Sequence, residues 1–593
     1  MRRIIEMDIM MKTINIWIAC SLLLISINMS GQITSSGIER TAPKNANKEN
    51  VYIHYNTSLL FAGEHLHYKI YSLKSKTNTL STFSKIGYVE LVGENSSVVF
   101  RHKIRLKNGI GQGEFFIPVT VPSGNYKLIG YTQWMKNYGV DSFFQSDIGI
   151  INPFQNNQES ILEHSPKSEK ISFDNTEKEA NRNNLISATL NKRIFKKRDK
   201  GVLTIGTSPK NEFDGDYSIS IRRIDSIRRP LMPSAIDYTA PSTENTSFDE
   251  KHGYLPELRG ELISGKIVPK DPNSSLEEEE IALSIPGKHF ILKLTRTNTD
   301  GEFYFNLNQE YNSDDAFVQV LGENRGKYEI QIPDKPFINY ENLKFDKMTI
   351  TPEMAHLILK RSVYNQVENA FIEVKPDSIE QIDTVSPIYR QYSITYDLDD
   401  YTRFSTIRET ASEILEHVWV RKDKNGEELF QIRGEENVAE SNLLPLVLID
   451  GILIQQHSDV IDFDARKIRR IHISREECVI NAIVYKGIIA LETIQGDFPQ
   501  KFEREYVSNL KLFSPLPKKK YFNQEYNHAT KSTSDQIPDF RQQLLWQPKL
   551  ILDDDKTNIE FYTSDVAGKY EIYLEGFTNT GNPISVKEVF EVK

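Results

Sequence analysis

From Val51 to Phe154 the chain alternates apolar and polar residues in short runs, broken at regular intervals by turn formers. The runs are Leu66 to Tyr71, Gly87 to Val92, Ser97 to Leu106, Gly113 to Val119 and Asn125 to Tyr131. Period-two alternation gives each strand one face toward a core and one away from it. Strands this short, at this spacing, predict a β-sandwich. The pattern returns at Leu185 to Leu190, Gly201 to Thr207 and Tyr217 to Arg223, and again from Leu255 onward. The fold class is therefore mainly β, as sandwiches in tandem with one small α/β unit described below. At about 150 residues per domain, a chain of 593 residues makes roughly four domains, so a single core is excluded.

Hydrophobic residues make up 39% and charged residues 26%, which is enough to bury several cores and rules out a wholly disordered chain. Seventy-two Lys and Arg stand against 82 Asp and Glu, for a formal charge of -10. Broad nucleic-acid binding is disfavoured, because it needs a clustered basic surface. A mean hydropathy of -0.46 argues against a polytopic helical membrane protein.

The one long apolar run is N-terminal. Lys12 precedes Ile14, Ile16, Trp17, Ile18, Ala19 and Leu22 to Ile25, and small Ser30 and Gly31 follow. This predicts a secretory signal over residues 1–31, with an uncleaved anchor as the competing reading. Charged Arg2 to Asp8 fits a signal poorly, so Met10 or Met11 is an alternative start. Trp17 and the position of Cys20 argue against a lipobox. Removing 1–31 takes three basic and two acidic residues, leaving -11, and leaves Cys478 as the sole cysteine. One thiol makes no internal disulfide, so the domains stand on packing alone. Glu477-Cys478-Val479-Ile480 lacks a cationic partner and predicts a buried, inert thiol.

Phe61-Ala62-Gly63-Glu64, Pro122-Ser123-Gly124-Asn125-Tyr126 and Tyr131-Thr132-Gln133-Trp134-Met135-Lys136-Asn137-Tyr138-Gly139 resemble the second macroglobulin domain of large Bacteroidota envelope proteins. The resemblance implies an immunoglobulin- or fibronectin-like sandwich over 48–154. Pro122 to Gly124 supply a turn and Trp134 a large apolar anchor. His65 and His67 share a strand face and could begin a metal site, but two ligands without a third read as plain sheet surface.

Residues 155–184 read as a polar linker, 185–250 as a small β module, and Pro230 to Lys251 as a long surface loop. A further sandwich spans 255–345. Its Thr299-Asp300-Gly301-Glu302-Phe303 resembles the turn of carboxypeptidase-regulatory-like domains, which carry no peptidase chemistry. Asp300-Gly301 predicts a tight hairpin. Glu277 to Glu280 diverge along the chain and read as a solvated loop rather than a calcium site.

Thr351-Pro352-Glu353 opens a helix within the connector 351–400, with Met354, Leu357, Ile358, Val367 and Phe371 as its core stripe. Arg403 to Val418 reads as a second helix, with Thr406 and Glu409 spaced as a capping box. Leu446 to Ile454 flank Asp450-Gly451 and predict a hairpin. Ile468 to Ile473 and Gly487 to Thr493 are strands. This order resembles the plug domain of TonB-dependent receptors and implies a plug-like α/β domain at 401–497. Glu477-Cys478-Val479 departs from the small residues usual there, and no TonB-box peptide is recognisable. A receptor barrel takes about 22 strands of roughly ten residues. Fewer than 100 residues follow Asp497, so the chain is not expected to be the transporter itself.

Residues 535–593 resemble a C-terminal macroglobulin-like sandwich, through Asp539 to Pro548, Ile559 to Asp565, Tyr570 to Gly576 and Gly581 to Ile584. Trp546 and Tyr562 read as core anchors, and Asp553 to Asp555 as a turn. No Gly-x-Ser-x-Gly, phosphate loop, His-Glu-x-x-His or paired-Cys signature occurs, nor the Gly-Cys-Gly-Glu-Gln thioester of trapping macroglobulins. No catalytic, cofactor-binding or metal residue is therefore assigned, no cofactor is expected, and no covalent thioester target or nucleic acid is a partner.

The expected protein is non-enzymatic and exported, to the periplasm, outer membrane or cell surface. It is expected to act as an interaction scaffold or accessory subunit of an outer-membrane transport or secretion machine, with a protein partner there such as a barrel transporter. The alternatives are a macroglobulin-like protease-interacting or inhibitory protein and a surface ligand- or glycan-binding protein.

Overall fold

The described residues form three sandwiches and one α/β unit, and their connectivity is nested rather than serial. The computed structural model describes residues 48–163, 186–207, 213–238, 253–287, 289–311, 313–333, 338–380, 394–434, 443–481, 483–526, 536–552 and 556–593. The expected signal segment, most of the expected linker and Asp553 to Asp555 lie outside these residues. The fold is mainly β. No described helix is long and apolar enough to cross a membrane.

The first sandwich pairs Glu49–Tyr55, His65–Lys74 and Ile110–Phe116 in one sheet. A second sheet orders Leu59–Phe61, Phe144–Ile151, Gly124–Thr132, Ile86–Gly93 and Val98–Arg105. The strands expected here are present. Several are buried on both faces, Glu49–Tyr55 along its whole length, so other units cover this sandwich from outside.

The small module at 185–250 and the C-terminal segment 535–593, read as two domains from sequence, combine here into one split sandwich. Gly215–Arg223 lies between Gly568–Thr578 and Gln543–Ile551, and Lys200–Thr207 pairs with Lys556–Tyr562. A pairing across more than 300 residues leaves no local signal, and each half alone shows only alternation. The segment expected to be a linker also packs where it is described. Ile161 is 1% exposed beside Leu59, Phe61 and Met348, and Leu162 bridges to Ile350.

In the third sandwich one sheet orders Glu302–Leu307, Glu261–Pro269 and Tyr328–Gln331. The other orders Ile291–Arg296, Glu280–Ile285, Asp315–Val320 and Val507–Lys511. The last strand comes after the α/β unit, which is therefore inserted into this sandwich. Asp300-Gly301 does not close a hairpin. Ile291–Arg296 and Glu302–Leu307 belong to different sheets, so the turn is a corner between layers. Gly301 takes φ +77, and Asn298 Oδ1 accepts from the amides of Asp300 and Glu302.

The α/β unit begins at Ile394–Asp397, inside the expected connector. That strand is the edge of a sheet continuing through Ile468–Ser474, Ile488–Thr493, Leu446–Ile449 and Ile452–Leu453. Asp450 at φ +48 and Gly451 at φ +86 make the expected two-residue turn. Asp450 is held by Thr493, which donates its amide to Oδ1 and its hydroxyl to Oδ2.

The helix expected over Arg403 to Val418 is shorter, Ile407–Glu413, because His417 turns the chain at φ +67 and Val418 enters a strand. Thr406 Oγ1 accepts from the Glu409 amide, and Glu409 Oε2 reaches back to the Ser405 amide. Thr406→Ala is expected to cost about 1 kcal/mol. Urea unfolding should show that loss, while Thr406→Ser retains the cap and most of the stability.

Both faces of the α/β sheet are covered. Val447, Ile449, Ile471 and Leu491 pack under Ile407, Ala411 and Val460 on one side. Leu446, Leu448, Leu453, Ile488 and Ala490 pack on Ala282, Leu292 and Leu294 of the third sandwich on the other. This is why Leu446 to Ile449 and Ile452 to Ile454 read as unbroken apolar runs rather than an alternation.

Candidate functional site

The polar faces that alternation would assign to solvent meet each other instead. On Gly215–Arg223, Tyr217, Ile219 and Ile221 enter the split sandwich's core. Ser218, Ser220 and Arg222 point the other way, yet none is more than 5% exposed. Glu571 and Glu575 on the neighbouring strand are buried beside them. Across the seam stand Tyr52, His54, Lys69 and Tyr71 of the first sandwich. Tyr71 Oη donates to the Glu575 carbonyl at 3.2 Å, and His54 Nδ1 lies 2.6 Å from Ser218 Oγ. Burial holds the His54 imidazole neutral, with its pKa lowered to about 3.

Charges in the seam are paired. Lys69 Nζ donates to Asp216 Oδ1 at 2.5 Å and to the Tyr217 carbonyl at 2.9 Å. Burial pulls this ammonium down to about 8 against the support of Asp216. Arg229 forks onto Glu571. Between the first and third sandwiches, fully buried Lys103 donates to buried Glu261. All these cations lie at junctions between units, where each unpaired charge would cost several kcal/mol.

The densest part of the seam holds the helix Ala355–Ala370. Arg361 donates through Nε to Glu64 Oε1 at 2.8 Å, through Nη2 to Glu64 Oε2 at 2.6 Å, and through Nη1 to Asp225 at 2.5 Å. Arg222 adds a bond to Glu64 Oε2 at 2.8 Å, and Asn365 one to Oε1 at 3.1 Å. Burial would push the Glu64 carboxyl up, but Arg361 and Arg222 reverse this and hold it at about 2. Phe61 faces the Arg361 guanidinium at 4.2 Å, and Tyr364 stacks on Phe540.

The helix thus departs from its expected stripe. Met354 and Ile358 pack inward, but Leu357 is exposed and Arg361, Ser362 and Asn365 form the buried centre. A short buried Arg looks like a solvated one in sequence, and only its phase with Met354 and Ile358 on the helix marks it.

The other residues singled out from sequence lie apart from this seam or at its rim. His65 and His67 stack at 5.7 Å, with His67 3.4 Å from Glu114, whose other oxygen takes Lys519. Among the described residues no three or more His, Cys, Asp or Glu side chains are placed to hold a metal. Glu278 and Glu280 pair with Arg296 while Glu279 accepts from Tyr328 Oη. Cys478 is buried, and burial pushes its thiol up.

Trp134 is buried as expected. Trp546 is buried too, but against His54 and His67 in the seam rather than in its own sandwich core. Tyr562 is only half-buried. The start of the expected surface loop is likewise part of the seam: Pro230 accepts from Ser58, Ala235 is 2% exposed, and Tyr238 Oη donates to the Val51 carbonyl.

No protein-family model and no curated protein matches the chain. Among solved structures it is similar to Salmonella alpha-2-macroglobulin reacted with methylamine, at 8% identity and TM-score 0.23, over 92% of this chain and 39% of that one. It is similar in the same way to the native conformation of E. coli alpha-2-macroglobulin, at 9% identity and TM-score 0.23, over 93% of this chain and 40% of that one. Dimeric latent PorU from Porphyromonas gingivalis matches at 12% identity and TM-score 0.15, over 48% of this chain and 33% of that one. The chain spans about two fifths of the length of the two alpha-2-macroglobulins.

Proposed function

We propose that the chain is an exported, non-enzymatic scaffold of the cell envelope, a stiff body of nested sandwiches that offers its outer surfaces to protein partners at the outer membrane. The buried polar seam is the observation that carries this reading. Paired charges at each junction tie the first sandwich to the split one, to the third one and to the helix Ala355–Ala370. Removing one member of such a pair costs about 3–5 kcal/mol, so the units hold a fixed orientation, as a scaffold needs.

Export rests on the apolar run around Ile14 to Ile25. The plug-like unit fits the role of a strut. Its sheet is covered on one face by its own helices and on the other by the third sandwich, so a barrel protein would meet it from outside.

The protease-interacting reading stands second, and the seam weighs against a version in which the sandwiches swing apart. For the glycan-binding reading, Trp134 and Trp546 are 4% and 5% exposed and offer no stacking face, while Trp419 at 38% does.

Affinity capture of the full tagged chain from detergent-solubilised envelopes tests the leading reading. Recovery of an outer-membrane protein in stoichiometric amount is the expected result. Recovery of none, with the tagged chain itself folded and abundant, overturns it.

A further inference from the structure

The acids of the seam share a pattern that one of them breaks. Glu64, Asp216, Asp225 and Glu571 each carry a Lys or Arg. Glu575, 1% exposed, is in no ion pair among the described residues. Its carboxyl is met by three neutral donors from three elements. The Ala235 amide reaches Oε2 at 2.8 Å, Tyr52 Oη reaches Oε2 at 3.3 Å, and Ser585 Oγ stands 2.6 Å from Oε1. A buried carboxyl without a cation favours its neutral form. Ser585 is close enough to accept from a proton on Oε1.

One of those contacts, the Ala235 amide, belongs to a strap, residues 230–238, that crosses the junction of the first and split sandwiches. Tyr52 Oη also touches the Pro233 carbonyl at 3.2 Å, which ties the strap to the first sandwich through the same group. Beside the carboxyl lies a void of about 10 Å³, lined by Tyr52, His54, Met232, Ser234, Tyr573 and Glu575. That is room for one water, and His54, whose buried Nε2 has no hydrogen-bond partner, lines the same void.

We propose that Glu575 is a protonated latch: while it keeps its proton the strap stays closed over the seam, and its ionisation draws water into the void and loosens the strap. Burial pushes this carboxyl up to about 8 against the help of Ser585, Ala235 and Tyr52, and Asp237 on the strap raises it further. Few other groups facing it change charge in that range. Tyr52, Tyr71 and Tyr238 are held neutral by burial, as is Tyr573, and His54 is already neutral. The cations nearby are engaged, Arg229 and Lys587 by Glu571 and Lys69 by Asp216. Lys69, at about 8, is the second group to titrate there, which the variants below separate.

The sign follows from a folded value raised above the ordinary 4.5. The latch is complete at and below about pH 4.5, still closed near neutrality, and lost as pH rises through about 8.

Hydrogen exchange of the full chain between pH 6.5 and 9.5, corrected for intrinsic rates, tests this in peptides covering 230–238. The opening constant of the strap is expected to rise by about tenfold per pH unit up to about pH 8 and to level off above it. Glu575→Gln keeps the shape and the hydrogen bonds and is expected to abolish the rise. Asp237→Asn, on an exposed side chain, removes an anion that raises the Glu575 carboxyl and is expected to move the levelling-off to lower pH, whereas an unmoved profile would assign the titration to Lys69 and a shift to higher pH would also count against the latch. A strap whose opening is independent of pH, or one that rises equally in Glu575→Gln, overturns it. If Glu575→Gln fails to fold, the direction of the Asp237→Asn shift decides.

Discussion

Arg361→Met is expected to destabilise the protein by about 3–5 kcal/mol, the range for a broken buried ion pair. The guanidinium is 6% exposed and satisfies two carboxylates at once. Methionine fills much of the volume but leaves Asp225 without a cation and Glu64 with Arg222 alone. Arg361→Lys is expected to recover only part of the loss, because one ammonium cannot reproduce a fork onto Glu64 and a third bond to Asp225. Denaturant unfolding measures the cost, and hydrogen exchange of 355–370 locates it. A loss under about 1 kcal/mol would mean that the network does not hold the helix, and the stiffness of the seam would lose its main support.

The same network predicts an acid limb. Glu64 has a folded value of about 2 against an ordinary 4.5, so its stabilisation is fully present above about pH 4.5 and is lost as pH falls toward 2. At 1.36 kcal/mol per unit the loss is about 3 kcal/mol. In Arg361→Met that limb should be shallower, so the gap between variant and parent narrows from pH 5 to pH 2. Parallel curves would place the acid limb elsewhere.

What the sequence displays depends on how far apart the partners are. The strands of the first sandwich, the Thr406 cap and the Asp450-Gly451 turn are all written within a few residues, and the structure has them. The two halves of the split sandwich are not, because Tyr217 and Leu574 show the same alternation whether or not they share a core. The seam is the deeper failure. Ser218, Ser220 and Arg222 alternate with apolar residues as a solvent face would. Nothing local distinguishes a polar face that meets water from one that meets Lys69, His54 and Glu64. Even so, a long polar strand face carrying an Arg, in a chain expected to hold several sandwiches, is a signal for an interdomain contact. The apolar runs Leu446 to Ile449 and Ile452 to Ile454 are a signal of the same kind: beyond the hairpin they predict, they require cover on both faces, and the third sandwich supplies the second one.

That second cover yields the sharpest steric prediction. Gly451 sits at φ +86, and the carbon an alanine would add stands 2.2 Å from Phe290 Cβ of the third sandwich. Backbone strain for a residue with a side chain at positive φ costs about 1–2 kcal/mol. Forcing the neighbours apart adds about 1–3 kcal/mol, so Gly451→Ala is expected to cost roughly 2–5 kcal/mol in total. The two parts can be separated. Phe290→Ala removes Cγ, 2.6 Å away, but keeps the nearer Cβ and is expected to give only partial relief, whereas Phe290→Gly removes both. In a double-mutant cycle Gly451→Ala should therefore couple favourably to Phe290→Gly and more weakly to Phe290→Ala. The residual cost in the Phe290→Gly background is the backbone part alone. No coupling to either would mean that the turn does not rest on the third sandwich, and the α/β unit would then be free to leave the face that Ala282, Leu292 and Leu294 provide.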